Sequence, residues 1–231
     1  MTDVYHIWQF APAGWLEKLE PYLNDSSKTS PDYDFEDVLV GLRDSTKWNL
    51  EAGSQNLGQG SQYALPFGFE TSVLIYRKDI FDTHNLKIPT TLDELLEIST
   101  QLKDLDSNRA AIAMPQDSSW EMIHSGFMNL YSGHGCIDFD EAMTPQMNSP
   151  CAVEVTTVWL ELIKSAGIKH WNEYSENQMM TDFIQGNVAM IISDTFLDTE
   201  NTAYAPIPNM QHTHIGIESL AMNARSKHKD D

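Results

Sequence analysis

Short apolar stretches alternate along the chain with segments in which apolar residues recur every three or four positions. The most apolar stretch, residues 188–192, predicts a buried strand. Thr91 and Glu94 form a capping-box pattern that predicts the start of a helix. Ser149 before Pro150 predicts the start of another helix. Strands that alternate with helices are typical of an α/β fold, whose sheets we expect to be largely parallel.

The same patterns place the remaining elements. We predict further strands at residues 3–8, 63–76, 110–114, 203–207 and 215–222, and helices at residues 14–23, 35–43, 79–86, 91–102, 150–167 and 175–185, with one more after Ser118. Pro66 and Gly68 interrupt the strand at residues 63–76, and a strand that stops and restarts suits a chain passing between two lobes. Because the chain begins at a buried-type strand and ends at an apparent helix start, we expect a fragment or a shortened member of a larger fold.

The composition argues against several classes of protein. The 231 residues include 14 lysine and arginine residues against 34 aspartate and glutamate residues, so the formal net charge is −20. This charge disfavours nucleic acid and anionic membrane surfaces as partners, because both bind basic patches. The apolar runs are far shorter than the roughly 20 residues of a membrane-spanning helix. The first residues lack the basic and apolar regions of a secretion signal.

Cysteine and histidine residues give few indications of chemistry. Cys136 and Cys151 could form one disulfide in an oxidising compartment, and two free thiols are equally compatible with the sequence. His134 beside Cys136 has no evident third partner, and His212 with His214 lacks further metal ligands. No phosphate-binding or dinucleotide-binding glycine motif is present. We therefore predict no metal and no cofactor.

Four segments, in order along the chain, resemble the family 1 extracellular solute-binding proteins, which capture substrates for ABC importers. They are YALPFGFETSVLIYRKD at residues 63–79, LKIPTTLDEL at 86–95, FIQGNVAM at 183–190 and APIP at 205–208. Leu92 stands where the family usually has tryptophan. The family's leader, its first strand–helix–strand unit and its long helical C-terminal part have no counterpart in this sequence.

The resemblance implies an α/β, two-lobed fold of the periplasmic-binding-protein (Venus flytrap) type with an incomplete first lobe. Residues 1–68 and 213–231 would form lobe 1, and residues 69–212 would form lobe 2. The implied function is binding of a small solute, a sugar or polyol, between the lobes, without catalysis. The implied partners are that solute and a membrane permease, and we expect a periplasmic or extracellular monomer.

Sugars present apolar C–H faces and hydroxyl groups, so a binding site needs aromatic rings and carboxylates or amides. Glu70 matches by motif a carboxylate that binds sugar in some relatives, although a solvent-exposed charge would explain it equally. Phe67 and Phe69 flank Glu70, and we expect at least one of them to pack in the core. Trp8 ends the predicted first strand, where ligands of parallel sheets bind; an interlobe core position is the alternative.

Two further pairs follow predicted strands. Asp117 and Trp120 come after the strand at residues 110–114, where helix capping and core packing are the alternatives to solute contact. Asp194 and Phe196 come after the strand at residues 188–192 and match a position where relatives often place a stacking tryptophan. The predicted solute-binding residues are thus Trp8, Phe67, Glu70, Asp117, Trp120, Asp194 and Phe196.

Other functions remain open at this point. A polyamine or another cation is an alternative solute, since rings and carboxylates also bind cations and the net charge would attract them. A carbohydrate hydrolase is an alternative that would use two of Glu70, Asp117 and Asp194 as its acid and nucleophile. A degenerate fragment without a ligand is the last alternative.

Overall fold

The computed structural model describes residues 2–49, 58–115, 126–166, 173–208 and 215–229. The backbone separates into two units, the first made of Met1–Glu70 with Ile215–Asp231 and the second of Thr71–His214. These boundaries lie two residues from the predicted ones. That the two units are the two lobes stays a prediction.

The helices and strands have the following bounds in chain order. They are β1 Thr2–Asp3, α1 Val4–Phe10, α2 Glu20–Leu23, a 3₁₀ turn Phe35–Asp37, α3 Val40–Ser45, β2 Lys47–Trp48, β3 Ser61–Gln62, β4 Ala64–Thr71, β5 Val73–Arg77, α4 Lys78–His84, α5 Leu92–Leu105, β6 Ala110–Ala113, α6 Met128–Gly133, α7 Pro150–Ala166, α8 Glu176–Gln185, β7 Val188–Ser193, β8 Thr202–Ala205 and β9 Ile215–Ala221. Among the described residues, no helix is both long and apolar enough to cross a membrane.

The first unit contains a three-stranded sheet in the order β1-β9-β4, in which β1 is antiparallel to β9. The predicted strand at residues 3–8 is wrong, because α1 begins at residue 4. Ile7 and Ala11 are both buried, and their four-residue spacing places them on one face of a helical turn. A short apolar run alone does not distinguish this arrangement from a strand.

The predicted helix at residues 14–23 is also mostly wrong, since only Glu20–Leu23 is helical. The segment before it pairs instead with the C-terminal part of the chain. The N–H of Glu17 donates to the carbonyl of Met222 at 2.9 Å, and the N–H of Ala224 donates to the carbonyl of Trp15 at 2.8 Å. Such long-range backbone pairing is invisible to local periodicity.

The second unit is built on a four-stranded sheet in the order β6-β7-β5-β8. Strand β6 is parallel to β7, but β5 is antiparallel to both of its neighbours. The expectation of largely parallel sheets is therefore wrong. Buried strands read as continuous apolar runs whatever their direction, so the apolar pattern could not reveal the reversal of β5.

Helices α5 and α7 pack on this sheet with a shared core that includes Leu95, Ile112, Val155 and Met190. The predicted capping box at α5 is confirmed, because the Thr91 hydroxyl accepts from the N–H of Glu94 and the Glu94 side chain binds the Thr91 N–H. The helix predicted at residues 175–185 is confirmed as α8, which has Ser175 as its N-cap and ends at Gly186, whose φ of 81° favours glycine. These helix limits could be predicted because each depends on residues adjacent in sequence.

A disulfide joins Cys136 to Cys151, with Cα atoms 5.6 Å apart. It ties the segment after α6 to the first turn of α7. The alternative of two free thiols, which the sequence also allowed, is therefore wrong for this structure. A Cys136–His134 catalytic pair is excluded as well, since a disulfide sulfur is not a nucleophilic thiolate.

Arg77 links β5 to both α4 and the end of α8. Its Nε and Nη2 donate to the two carboxylate oxygens of Asp79 at 2.9 and 2.7 Å, and its Nη1 donates to the carbonyl of Phe183 at 3.1 Å. These hydrogen bonds from Arg77 lower the pKa of Asp79 below its usual 3.8. The guanidinium thereby satisfies one of the last carbonyls of α8.

We expect Arg77→Met to destabilise the protein by about 1–3 kcal/mol at neutral pH, because it removes hydrogen bonds to a carboxylate and to a carbonyl. Asp79 has a lowered pKa in the folded state, so its ionised form contributes to the free energy of unfolding above the pKa that it has in the unfolded chain. This contribution disappears as the pH falls through its pKa in the folded state. The stability difference between wild type and variant should therefore shrink below about pH 4. Denaturant unfolding between pH 2 and pH 7 measures this, and a constant difference across that range would contradict it.

Candidate functional site

The strand register of the second unit brings several predicted solute-binding segments to one edge of the sheet. Val73, the first residue of β5, lies opposite Ser193, the last residue of β7. On the other side of β5, Leu74 lies opposite Ala205, the last residue of β8. In the parallel pair, Ala113 at the end of β6 lies opposite Ile191 of β7. Segments that follow β6, β7 and β8 therefore leave the sheet at the same edge.

An exposed aromatic pair lies at this edge. Phe196 is 76% exposed, and its ring lies parallel to that of Tyr204, with centroids 5.8 Å apart and an interplanar angle of 3°. The Tyr204 hydroxyl accepts from the N–H of Leu197 at 2.8 Å and donates to its carbonyl at 2.7 Å. A flat, accessible ring of this kind suits the apolar C–H face of a sugar or polyol.

A carboxylate that the sequence reasoning missed also lies at the end of β7. Glu176, the first residue of α8, accepts from the Thr195 hydroxyl at 3.3 Å and from the Ser193 hydroxyl at 3.5 Å. The helical pattern at residues 175–185 predicts where this helix begins, but no local signal shows that the helix start lies over the end of β7. Only the packing of α8 on β7 creates this proximity.

Tyr174 fixes the approach to α8 from the preceding segment. Its hydroxyl donates to the Asp182 carboxylate at 3.0 Å, and its ring is buried with Met179 and Phe183. Burial and the neighbouring Asp182 raise the pKa of Tyr174 well above its usual value. Tyr174 is thus a neutral hydrogen-bond donor that ties the segment before α8 to the second half of the helix.

A cavity of about 470 Å³ lies beside the same edge of the sheet, lined by residues 71–73 and 204–207. Tyr204 belongs both to this lining and to the aromatic pair. Ser72 in the lining is buried and accepts from Nδ2 of Asn129 at 2.9 Å. Tyr204 therefore borders both the cavity and the aromatic pair, and Ser72 supplies a fixed polar group in the lining.

The second unit accounts for only part of the predicted set. Asp194 is exposed immediately after β7, next to Thr195 and Phe196, and solute contact by Asp194 and Phe196 stays a prediction. Asp117 and Trp120 lie outside the described residues, in the segment that follows β6. Their role as solute-binding residues stays a prediction.

The remaining predicted residues belong to the first unit. Trp8 lies on α1 and not at the end of a strand, so the reasoning that selected it is wrong. It is 45% exposed, and its ring lies 6.0 Å from that of Trp48, an aromatic neighbour that sequence reasoning missed. Solute contact by Trp8 stays a prediction.

Strand β4 carries Phe67, Phe69 and Glu70. Strand alternation places the two phenylalanines on one face and Glu70 on the other. Both rings are about half exposed, so the expectation that at least one packs in the core is wrong. Glu70 is exposed near the boundary with the second unit.

No cluster of three or more histidine, cysteine, aspartate or glutamate residues suited to a metal ion occurs within the described ranges. His212 and His214, the pair with metal-like spacing, lie outside those ranges. The described site residues are rings, carboxylates and hydroxyls, which suit binding of a polyhydroxylated molecule.

Comparison with known proteins identifies relatives along the whole chain. The family model of the bacterial extracellular solute-binding proteins matches residues 1–231. The erythritol/L-threitol-binding protein of Mycolicibacterium smegmatis is 36% identical over 99% of this chain and 52% of its own length. The mannitol-binding protein of Pseudomonas aeruginosa is 24% identical over 81% of this chain and 39% of its own length.

Solved structures show the same fold. The solute-binding protein of Agrobacterium radiobacter K84 in complex with ribitol matches 99% of this chain and 58% of its own chain, with a TM-score of 0.76 and 20% identity. The corresponding protein of Agrobacterium vitis with bound D-mannitol matches with a TM-score of 0.72 and 23% identity, over 98% of this chain and 55% of its own. The predicted α/β fold of the periplasmic-binding-protein type is confirmed. The chain spans about half the length of the relatives it matches, and it belongs to the family of bacterial extracellular solute-binding proteins.

Proposed function

We propose that this chain binds a small, neutral polyol or sugar for delivery to the membrane permease of an ABC transporter, and that it catalyses no reaction. The observation that carries this proposal is the exposed Phe196–Tyr204 pair beside the Glu176 carboxylate and the Ser193 and Thr195 hydroxyls. This combination matches both surfaces of a polyol, its C–H faces and its hydroxyl groups. The polyols named for the relatives support the same solute class.

A periplasmic or extracellular location fits the proposal. The Cys136–Cys151 disulfide is of a kind that persists in oxidising compartments. The net charge of −20 disfavours nucleic acid as a partner. We expect the protein to act as a monomer, which sedimentation velocity would check.

Calorimetric titration with erythritol, ribitol, mannitol and common monosaccharides tests the proposal directly. We expect at least one of these solutes to bind. Phe196→Ala should weaken that binding about 10-fold, because stacking contributes about 0.5–1.5 kcal/mol beyond the area it buries. The same substitution should leave the melting temperature nearly unchanged, because the ring is mostly exposed.

Phe139→Ala provides the matched control for this experiment. Phe139 is another exposed ring of the second unit, at 45% exposure, but it lies in the segment between α6 and α7. Its replacement should leave solute affinity unchanged. Absence of binding across all the alditols and monosaccharides would overturn the proposal.

A cation such as a polyamine is the second candidate solute. The net charge of −20 favours it, as do Asp194 and Glu176 close to an exposed aromatic ring. Binding of spermidine that weakens steeply between 20 and 200 mM salt would support this alternative, whereas binding of a neutral polyol should depend little on salt.

A further inference from the structure

We propose that Glu176 is a solute-binding residue and that the Thr195 hydroxyl occupies it until a solute hydroxyl takes its place. This inference rests on the proposed function and adds a specific acceptor to it. Neither the predicted site residues nor the family resemblance includes Glu176.

The hydrogen bonds that Glu176 accepts from Thr195 and Ser193 are long. The Thr195 and Ser193 hydroxyl oxygens lie 3.3 and 3.5 Å from the same carboxylate oxygen, Oε1, whereas O–H···O bonds are usually 2.5–3.0 Å. Long bonds of this kind are weaker than those a freely placed hydroxyl group can form. A solute hydroxyl at ordinary distance would therefore replace the Thr195 hydroxyl favourably.

The two protein hydroxyls differ in their freedom to move. Ser193 is fully buried in β7, and its Oγ also accepts from the N–H of Thr195 at 3.1 Å. Thr195 is exposed, so its hydroxyl can rotate towards water without leaving a buried group unpaired. Thr195 is therefore the partner that a solute displaces, and Ser193 remains in place.

Charge at this edge gives the site a preference for neutral solutes. The Glu176 carboxylate and the nearby Asp194 would repel a sugar acid, while they accept hydrogen bonds from an alditol. We therefore expect Glu176 to separate alditols from the corresponding aldonates. The ligand class is a neutral molecule with several hydroxyl groups.

Glu176→Gln tests the proposal in calorimetric titrations with erythritol, ribitol and mannitol. We expect about 10- to 100-fold weaker binding of the preferred alditol, since a hydrogen bond to a charged acceptor is lost. The difference in affinity between that alditol and its aldonate should become smaller at the same time. Glu97→Gln, an equal change of charge on the exposed side of α5, is the matched control and should bind like wild type.

Two further variants separate binding from a structural role. Glu176→Asp keeps a negative charge in the first turn of α8, so it should preserve the melting temperature and still lose affinity. Thr195→Val removes the competing hydroxyl and should leave affinity equal or up to a few-fold higher. A loss of affinity in Thr195→Val would instead mean that Thr195 orients Glu176, and it would overturn the displacement proposal.

The outcomes distinguish this inference from the proposed function. If wild type binds an alditol and Glu176→Gln binds it with an affinity within two-fold of the wild-type value, the proposal for Glu176 is wrong and the proposed function stands. If wild type binds no alditol or monosaccharide, the proposed function fails and this inference fails with it.

Discussion

Phe183→Ala is expected to lower the free energy of unfolding by about 3–5 kcal/mol, the usual cost of emptying a buried phenylalanine site. Phe183 is fully buried on α8 and packs with Ile75 of β5 and with Val188 and Ile191 of β7. These neighbours belong to a sheet and cannot close the cavity without disturbing its strand pairing. Denaturant unfolding followed by circular dichroism would measure the change.

Ile184→Ala is the matched control for Phe183→Ala. Ile184 is the next residue of the same helix but is 55% exposed, so its truncation should cost less than about 1 kcal/mol. Equal effects of the two substitutions would show that α8 does not pack as described. Because α8 also carries Glu176, loss of its packing should weaken solute binding even though Phe183 is buried in the core.

Removal of the Cys136–Cys151 disulfide is expected to cost about 3 kcal/mol, the chain-entropy value for a loop of this length. The bond closes a segment of 15 residues in sequence separation and anchors it to α7. For a chain of this size the loss corresponds to a decrease of about 6–12 °C in melting temperature. Calorimetric scans with and without a reducing agent would measure it.

The Cys136→Ala/Cys151→Ala double variant provides the control for the disulfide. Its melting temperature should match that of the reduced wild type and should not respond to reducing agent. Two titratable thiols in the unreduced, denatured wild-type protein would contradict the bond.

The parts of the fold that sequence predicts well depend on neighbouring residues. The capping box of Thr91 and Glu94 and the glycine stop at Gly186 are local devices, and the helices they bound occur as predicted. The prediction of a strand at residues 3–8 failed because the apolar residues there fit both a strand and a helix. The burial of Ile7 and Ala11 favours the helix. The prediction of parallel pairing failed for β5 because a buried apolar run has the same composition whichever way the strand points.

The candidate site shows the same division between local and long-range information. Phe196 could be selected as a candidate because it follows a buried strand and resembles a family position, and its contact with solute stays a prediction. Glu176 could not, since its contact with Thr195, 19 residues later in the sequence, arises from the packing of α8 on β7. Tyr204 was missed for a similar reason: its stacking on Phe196 requires β8 to lie beside β5.

The double hydrogen bond between Tyr204 and the Leu197 backbone has a thermodynamic consequence for recognition. It immobilises the backbone next to Phe196 before any solute arrives, although the Phe196 ring itself is exposed. Ordering a loose side chain or loop during association costs about 0.5–1.5 kcal/mol for each group immobilised. The backbone is thus ordered on folding and not on binding, so the Phe196 ring can contribute more of its contact energy to affinity.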